Sequence, residues 1–217
     1  MFRIKKIIGR QIIDSRGNPT CEADIILDDG TLGRGAVPSG ASTGKLEAIE
    51  IRDNDPKLYF GKSVNQAVKN INHVISREIN VSSEFDQQSF DKFLIDFDGT
   101  PNKERLGANT ILALSIAFAK AIAHKNNIPL YQSLTEDSSH ILPIPMMNII
   151  NGGAHANNKL DFQEFMILPI GFDKITESIR AGAEIFHTLK NALNRINMPT
   201  SVGDEGGFAP NLNSNSE

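Results

Sequence analysis

Two polar clusters in the second half of the chain carry side chains that could do chemistry. In the first, His155 lies in a glycine-containing loop, and Gln163 and Glu164 open the apolar run that follows it. Imidazole and carboxyl groups move protons, but a carboxylate at the mouth of a buried strand is costly unless it is paired. Each of these residues alone is most simply part of a polar hairpin turn. The cluster as a whole predicts a site.

The second cluster is the tetrapeptide Asp204-Glu205-Gly206-Gly207, which follows a short strand-like stretch that begins at Thr200. An acidic turn is the common interpretation of such a sequence. In barrels built of strands and helices, however, the C-terminal ends of the strands carry the chemistry. Because the two glycines also open the backbone beside the carboxylates, we keep Asp204 and Glu205 as candidate site residues.

The elements that must position these clusters are two strands and a helix. The apolar runs Ile144–Ile150 and Phe162–Leu168 flank the His155 loop and have the length of strands. Their weak alternation predicts strands buried on both faces, as in a barrel. A long helix is predicted near 174–196, and its predicted buried face consists of Ile175, Ile179, Gly182, Ala183, Phe186, Leu189, Leu193 and Ile196. We assign no role to His187 within it.

The first part of the chain predicts an α+β domain. Residues 1–37 alternate and turn like a β-meander, with Thr31–Val37 as the return strand. Apolar stripes then predict three helices, near 63–80 with Ser63 as its cap, near 87–97, and from Asn109 to before Pro129. A meander followed by helices is an α+β pattern. The polar stretch Thr135–His140 is predicted to be the domain boundary.

The composition excludes several classes of function. The chain has 217 residues, a net charge of -4 and no basic run, which argues against nucleic acid as a partner. Its single cysteine, Cys21, excludes an intrachain disulfide and is predicted to lie in the core. No apolar run has membrane-spanning length, and the N-terminus is unlike a signal peptide. These features predict a soluble, cytoplasmic protein.

The stretch Ala36–Glu47 (AVPSGASTGKLE) is dominated by small residues and predicts a mobile loop. A phosphate-binding P-loop has four residues between its glycines and Ser or Thr after its lysine. Here three residues separate Gly40 from Gly44, and Leu46 follows Lys45, so an NTPase is rejected. A loop rich in hydroxyls and glycine can still close over an anion or donate oxygen to a hard cation.

A series of motifs along the whole chain resembles the enolase family. In order they are Asp14–Thr20 (DSRGNPT), Val37–Gly44 (VPSGASTG), Glu47–Asp53 (EAIEIRD), Leu106–Thr110 (LGANT), Pro145–Asn158 (PMMNIINGGAHANN), Phe162–Ile167 (FQEFMI) and Val202–Asn211 (VGDEGGFAPN). The resemblance implies an α+β capping domain over residues 1–135, a three-stranded meander plus helices. It implies that residues 141–217 form the first elements of a β/α (TIM-like) barrel, left incomplete, whose first two strands run antiparallel.

The resemblance also implies a reaction, the reversible dehydration of 2-phosphoglycerate to phosphoenolpyruvate. A lysine removes the proton beside the carboxylate, and two Mg²⁺ ions per complete site stabilise the intermediate. By position, Glu205 matches the general acid, and Gln163 and Glu164 match the pair around the leaving hydroxyl. His155 matches the loop histidine that meets the phosphoryl group. Ser42 matches the lid serine that ligates the second magnesium.

In the family, the base lysine and the carboxylates that hold the first magnesium come from later barrel strands. Lys190 and Arg195 lie on the predicted helix and are not candidates for those roles. We therefore expect this polypeptide alone to be inactive, and to associate with itself as a homo-oligomer or with a complementary C-terminal half. Two alternatives stay open: a non-catalytic binding or structural fragment, and another lyase of the enolase superfamily, which the close match of the loops disfavours.

Overall fold

The computed structural model describes residues 1–39, 44–79, 83–135, 141–203 and 206–217. Contacts within the chain divide it into two compact units, Met1–Ser138 and Ser139–Glu217. The first is an α+β unit, and the second contains a strand pair and one long helix. None of the helices in these ranges is both long and apolar enough to cross a membrane.

The first unit is built on a four-stranded antiparallel sheet in the order β3-β2-β1-β4. Its strands are β1 (Phe2–Ile13), β2 (Pro19–Leu27), β3 (Leu32–Ala36) and β4 (Glu84–Phe85). The predicted meander is confirmed in β1 to β3. The short β4, in which Phe85 pairs with Phe2, was not predicted, because two residues are too few to show a strand period.

Helices cover the inner face of this sheet. They are α1 (Asn65–Lys69), a π-helical segment (Asn70–Ile75) that leads into α2 (Ser76–Glu78), then α3 (Gln87–Asp98), α4 (Ala108–Lys125) and α5 (Leu130–Ser133). The three predicted helices are confirmed, but Ser63 as the cap is wrong. Val64 is the N-cap of α1 and makes no side-chain cap bond. The Asp53 carboxylate accepts hydrogen bonds from the backbone N–H groups of Asn65 and Gln66, both at 2.8 Å. These N–H groups have no partner within the helix, so Asp53 caps α1 from the preceding loop.

The core of the first unit lies between the sheet and helices α1 to α4. Its larger fully buried side chains include Ile25, Leu27, Ile71, Ile75, Phe90, Leu94 and Phe118. The Phe90 and Phe118 rings lie 4.5 Å apart and join α3 to α4. Cys21 is fully buried, as predicted, and burial raises the pKa of its thiol to about 12.

Helix α4 lies directly against β3 because two glycines in the strand leave room for its backbone. A Cβ atom built on Gly33 would lie 2.0 Å from the carbonyl oxygen of Ala117, and one built on Gly35 would lie 2.3 Å from that of Ala113. Neither glycine has a positive φ, so the requirement is for space and not for a left-handed conformation. The close approach of strand and helix therefore depends on the absence of two side chains.

An ion-pair network lies on the opposite face of the sheet and is centred on Asp24. The Asp24 side chain is 6% exposed and accepts from Arg34 at 2.7 and 2.9 Å and from Arg10. Arg10 also donates to Glu22 at 2.7 Å. The hydrogen bonds from Arg34 and then Arg10 hold the pKa of Asp24 well below its usual range, although burial opposes them.

Asp24→Asn is expected to weaken the dependence of stability on acidic pH. A carboxyl group whose pKa is lowered by folding stabilises the folded state above its unfolded pKa of about 4, and this contribution is lost as the pH falls toward its folded pKa. The variant should therefore be less stable at pH 7 and lose less free energy of unfolding between about pH 5 and 2. Urea unfolding followed by circular dichroism at several pH values measures both effects.

Asp96→Asn is the matched control for this experiment. Asp96 forms an exposed ion pair with Lys92 on α3, and such surface pairs contribute little to stability. Its pH profile should follow that of the unsubstituted chain. A profile for Asp24→Asn that also overlays the unsubstituted chain would contradict the stabilising role of the network.

The second unit contains an antiparallel pair, β5 (Met147–Asn151) and β6 (Glu164–Ile167), and the helix α6 (Ile175–Arg195). Both strands form where they were predicted, but their expected burial on two faces is wrong. Most of their side chains are only partly buried, and Met166 is 45% exposed. The reason is that, within the part of this unit that the structure describes, α6 is the one long element available to cover the pair.

The predicted buried face of α6 is confirmed only in part. Gly182 and Leu193 are buried, whereas Ile179, Ala183 and Ile196 are exposed. A Cβ atom built on Gly182 would lie 2.1 Å from the Met147 sulfur, so the helix approaches β5 most closely at this glycine. Only part of the apolar stripe of α6 is therefore covered by other residues that the structure describes.

Candidate functional site

The loop that carries His155 is a continuation of the β5–β6 hairpin. Beyond the strand ends, the Gly152 N–H donates to the Gln163 carbonyl at 3.0 Å, and the Gly153 N–H donates to the Leu160 carbonyl at 2.8 Å. A Cβ atom on Gly152 would lie 2.4 Å from the Phe162 carbonyl oxygen. The glycine therefore lets the two arms of the loop close against each other.

This closure brings three of the predicted site residues to one end of the hairpin. Nδ1 of His155 lies 3.5 Å from Oε1 of Glu164, and both side chains are partly buried. Gln163 is exposed, and its Cγ atom is 3.0 Å from where a Cβ of Gly153 would lie. The two groups are within ion-pair distance, but the contact is longer than an ordinary hydrogen bond. The structure thus places an imidazole, a carboxylate and an amide at one strand end.

The other predicted site residues, Ser42, Asp204 and Glu205, lie outside the described residues. The chain on either side of residues 204–205 is described, however, and it is closed by backbone hydrogen bonds. The Gly203 N–H donates to the Gly207 carbonyl, and the Gly206 N–H donates to the Gly203 carbonyl, both at 3.1 Å. The Phe208 N–H then donates to the Ile149 carbonyl at 2.8 Å, which attaches this turn to β5.

Three asparagines hold the same turn and the His155 loop together. Asn151 is 1% exposed and donates through Nδ2 to the carbonyls of Gly206 at 2.6 Å and Gly207 at 3.2 Å. Asn148 donates to Asn151 Oδ1 at 2.5 Å. Asn158 donates to the carbonyls of Asn151 and Pro210 at 2.9 and 3.0 Å. Sequence reasoning missed these contacts, although asparagines clustered beside glycines in NIINGGAHANN were a visible signal.

The described side chains do not fit a magnesium site. Across the described ranges, no group of three or more His, Cys, Asp or Glu side chains is placed to hold a metal ion. Ser42, the residue that the resemblance assigns to magnesium, lies outside those ranges. Lys190 and Arg195 are exposed on α6.

An α+β unit followed by an antiparallel strand pair and a long helix defines a capping domain joined to the start of a β/α barrel. Residues 4–134 match the family model described as "Enolase, N-terminal domain". Residues 139–217 match the model described as "Enolase, C-terminal TIM barrel domain". The chain therefore belongs to the enolase family.

Proposed function

We propose that this chain contributes to the reversible dehydration of 2-phosphoglycerate to phosphoenolpyruvate, in the cytoplasm, as part of glycolysis and gluconeogenesis. The observation that carries the proposal is the contact of 3.5 Å between His155 and Glu164 at the end of the first barrel hairpin. Support also comes from the two enolase family models, which together span nearly the whole chain. The activity proposed is that of a phosphopyruvate hydratase, a carbon–oxygen lyase.

In this proposal each site side chain has a role that suits its chemistry. His155, which lies beside Glu164, donates a hydrogen bond to a phosphoryl oxygen of the substrate. Gln163 and Glu164 contact the hydroxyl that leaves, and Glu205 donates the proton that lets it leave as water. A protonated carboxyl in this role needs a raised pKa, which the neighbouring Asp204 and the negative charges of the substrate favour.

Members of the enolase family bind Mg²⁺, which the described residues do not accommodate. The base lysine and the main metal carboxylates that the family uses have no counterpart at matching positions in residues 1–217. We therefore propose that residues 1–217 turn over substrate only together with barrel strands that supply these groups. Exposed apolar side chains on the barrel strands and α6, such as Met166 and Ile185, support such an association or a homo-oligomer.

A turnover assay tests this proposal. Chain 1–217 alone is expected to form no phosphoenolpyruvate from 2-phosphoglycerate in excess Mg²⁺, and activity is expected after mixing with the C-terminal part of an enolase. The physical reason is that so weak a carbon acid cannot be deprotonated without the charge stabilisation that the missing groups supply. Formation of the conjugated product is followed by its ultraviolet absorbance. Turnover by the chain alone would overturn this account.

The same assay separates the second candidate function, a non-catalytic binding or structural fragment. The exposed apolar side chains of the strand pair favour it as much as they favour a split enzyme. A folded circular dichroism spectrum with association but no turnover in the mixture would support the scaffold role. The non-catalytic role is excluded if turnover appears only when chain 1–217 and the C-terminal part are both present.

A further inference from the structure

Asn158 lies three residues after His155 and anchors the loop that carries this histidine. Its Nδ2 atom donates to the carbonyl of Asn151 at 2.9 Å and to the carbonyl of Pro210 at 3.0 Å. Its Oδ1 atom accepts from the N–H of Leu160 at 3.2 Å. One side-chain amide therefore joins three segments of the second unit: the His155 loop, the end of β5 and the segment around Pro210.

The two carbonyls that Asn158 contacts belong to well-packed residues. Asn151 is 1% exposed, and its N–H donates to the Phe208 carbonyl at 2.8 Å. Phe208 is fully buried, and its ring stacks on that of Phe186 of α6 at 4.3 Å. Pro210, two residues further along the chain, is also buried. The bonds from Asn158 therefore tie the loop to the packed interior of the unit and not to another exposed loop.

His155 lies between Asn158 and a second anchor at the start of the loop. There the Gly153 N–H donates to the Leu160 carbonyl at 2.8 Å, and the His155 N–H donates to the Gly152 carbonyl at 2.9 Å. Only two residues separate the histidine from Asn158 on the other side. The backbone of His155 is therefore held on both sides, and loss of the Asn158 anchor would leave it held on one side only.

We propose that Asn158 is a positioning residue for His155: it holds the loop so that the imidazole stays at the end of the hairpin, 3.5 Å from Glu164. The inference rests on the proposed function, in which His155 donates to a phosphoryl oxygen of the substrate. Asn158 has no substrate contact in this scheme and acts only through the histidine. Because a binding group that is already in place loses less conformational entropy when the ligand binds, the anchor contributes to substrate affinity.

Three substitutions in the same loop test the proposal. Asn158→Ala removes all three bonds of the side chain. Asn158→Ser is milder, because a hydroxyl group can still donate to one of the two carbonyls, and it covers the case in which the alanine variant fails to fold. Asn157→Ala is the matched control, since Asn157 is a neighbouring asparagine whose side chain is exposed.

The first test is made by NMR on chain 1–217 without substrate. In Asn158→Ala, hydrogen exchange of the His155 N–H should be about tenfold faster, and the ring resonances of His155 should move toward their positions in an unstructured peptide. Asn158→Ser should show smaller changes in the same direction. Asn157→Ala should change neither signal, and the ring resonances of His124 in the first unit should stay the same in every variant. Unchanged His155 signals in Asn158→Ala would overturn the proposal.

The second test measures turnover by the mixture of chain 1–217 with the C-terminal part of an enolase. Asn158→Ala should raise KM for 2-phosphoglycerate about tenfold with kcat within about threefold, because a misplaced histidine weakens a hydrogen bond to a charged group that does not itself react. Asn157→Ala should change neither constant. A fall in kcat at an unchanged KM would refute the positioning role.

A double-substitution cycle separates positioning from a general structural role. His155→Ala removes the group that Asn158 places, so adding Asn158→Ala to it should change KM by less than about twofold. Independent effects of the two substitutions would mean that Asn158 does not act through His155. If the unsubstituted mixture shows no turnover, the proposed function fails, and the exchange and ring resonances of chain 1–217 still decide whether Asn158 places His155.

Discussion

Gly33→Ala and Gly35→Ala are each expected to lower the free energy of unfolding of the first unit by about 3 kcal/mol. The added methyl carbon would lie 2.0 Å from the Ala117 carbonyl oxygen in the first case and 2.3 Å from the Ala113 carbonyl oxygen in the second. These neighbours are backbone atoms of α4, so no side-chain rotation can relieve the overlap. The helix must move away from the sheet, and the core packing between them is lost.

The measurement is urea unfolding followed by circular dichroism, with Gly44→Ala as the matched control. A Cβ atom on Gly44 would have its nearest neighbour, Oε2 of Glu47, at 3.9 Å, and this glycine has no positive φ. The control substitution should change the free energy of unfolding by less than about 0.5 kcal/mol. Equal stabilities of Gly33→Ala and Gly44→Ala would show that α4 does not lie on β3 as closely as described.

Under the proposed function, Glu205→Gln is expected to reduce dehydration by the mixture of chain 1–217 with the C-terminal part of an enolase about a thousandfold, within the range that general acid catalysis contributes. The amide keeps the size of the side chain, but its N–H groups are far too weakly acidic to transfer a proton to the leaving hydroxyl. In the proposed reaction, removal of the substrate proton beside the carboxylate precedes this step and does not need the acid. The variant should therefore still exchange that proton with solvent while forming almost no phosphoenolpyruvate.

Two readouts on the same mixture check this expectation, the absorbance of phosphoenolpyruvate and the uptake of deuterium into 2-phosphoglycerate. Glu177→Gln is the control, because Glu177 lies on α6 in an exposed ion pair with Arg180. It should retain both activities. Full dehydration by Glu205→Gln would remove this residue from the acid role, and loss of both signals would mean that it also serves proton abstraction or folding.

Local periodicity predicted most of the first unit, because each of its main elements is long enough to display its own pattern. Strand β2 alternates, and helices α3 and α4 carry clear apolar stripes, so their positions follow from neighbouring residues. The cap of α1 could not be predicted in the same way. It comes from Asp53, which precedes the helix by an intervening loop outside the helical pattern and becomes a cap only after that loop has folded back.

The sequence predicted which residues form the candidate site, but it did not predict all of the contacts that they make. His155 and Glu164 were predicted to meet, and they lie 3.5 Å apart because the glycines of the loop allow it to close. The amide contacts of Asn151 were not predicted, since asparagine beside glycine equally predicts an ordinary turn. The burial of β5 and β6 was overestimated. An apolar run shows that a strand can be buried, but burial also depends on which other elements pack against it.

The antiparallel course of β5 and β6 has a consequence for the order in which the protein folds. A β/α barrel normally closes each strand pair across an intervening helix, whereas here β6 returns along β5 through the loop that lies between Asn151 and Glu164. The entropy lost in closing a loop grows with its length, so this pair closes at lower cost than the pairing of Phe2 with Phe85 in the first unit. The His155–Glu164 contact therefore requires only the closure of this short loop, and the bond from Asn158 to the Pro210 carbonyl then stabilises a hairpin that would be marginal in isolation.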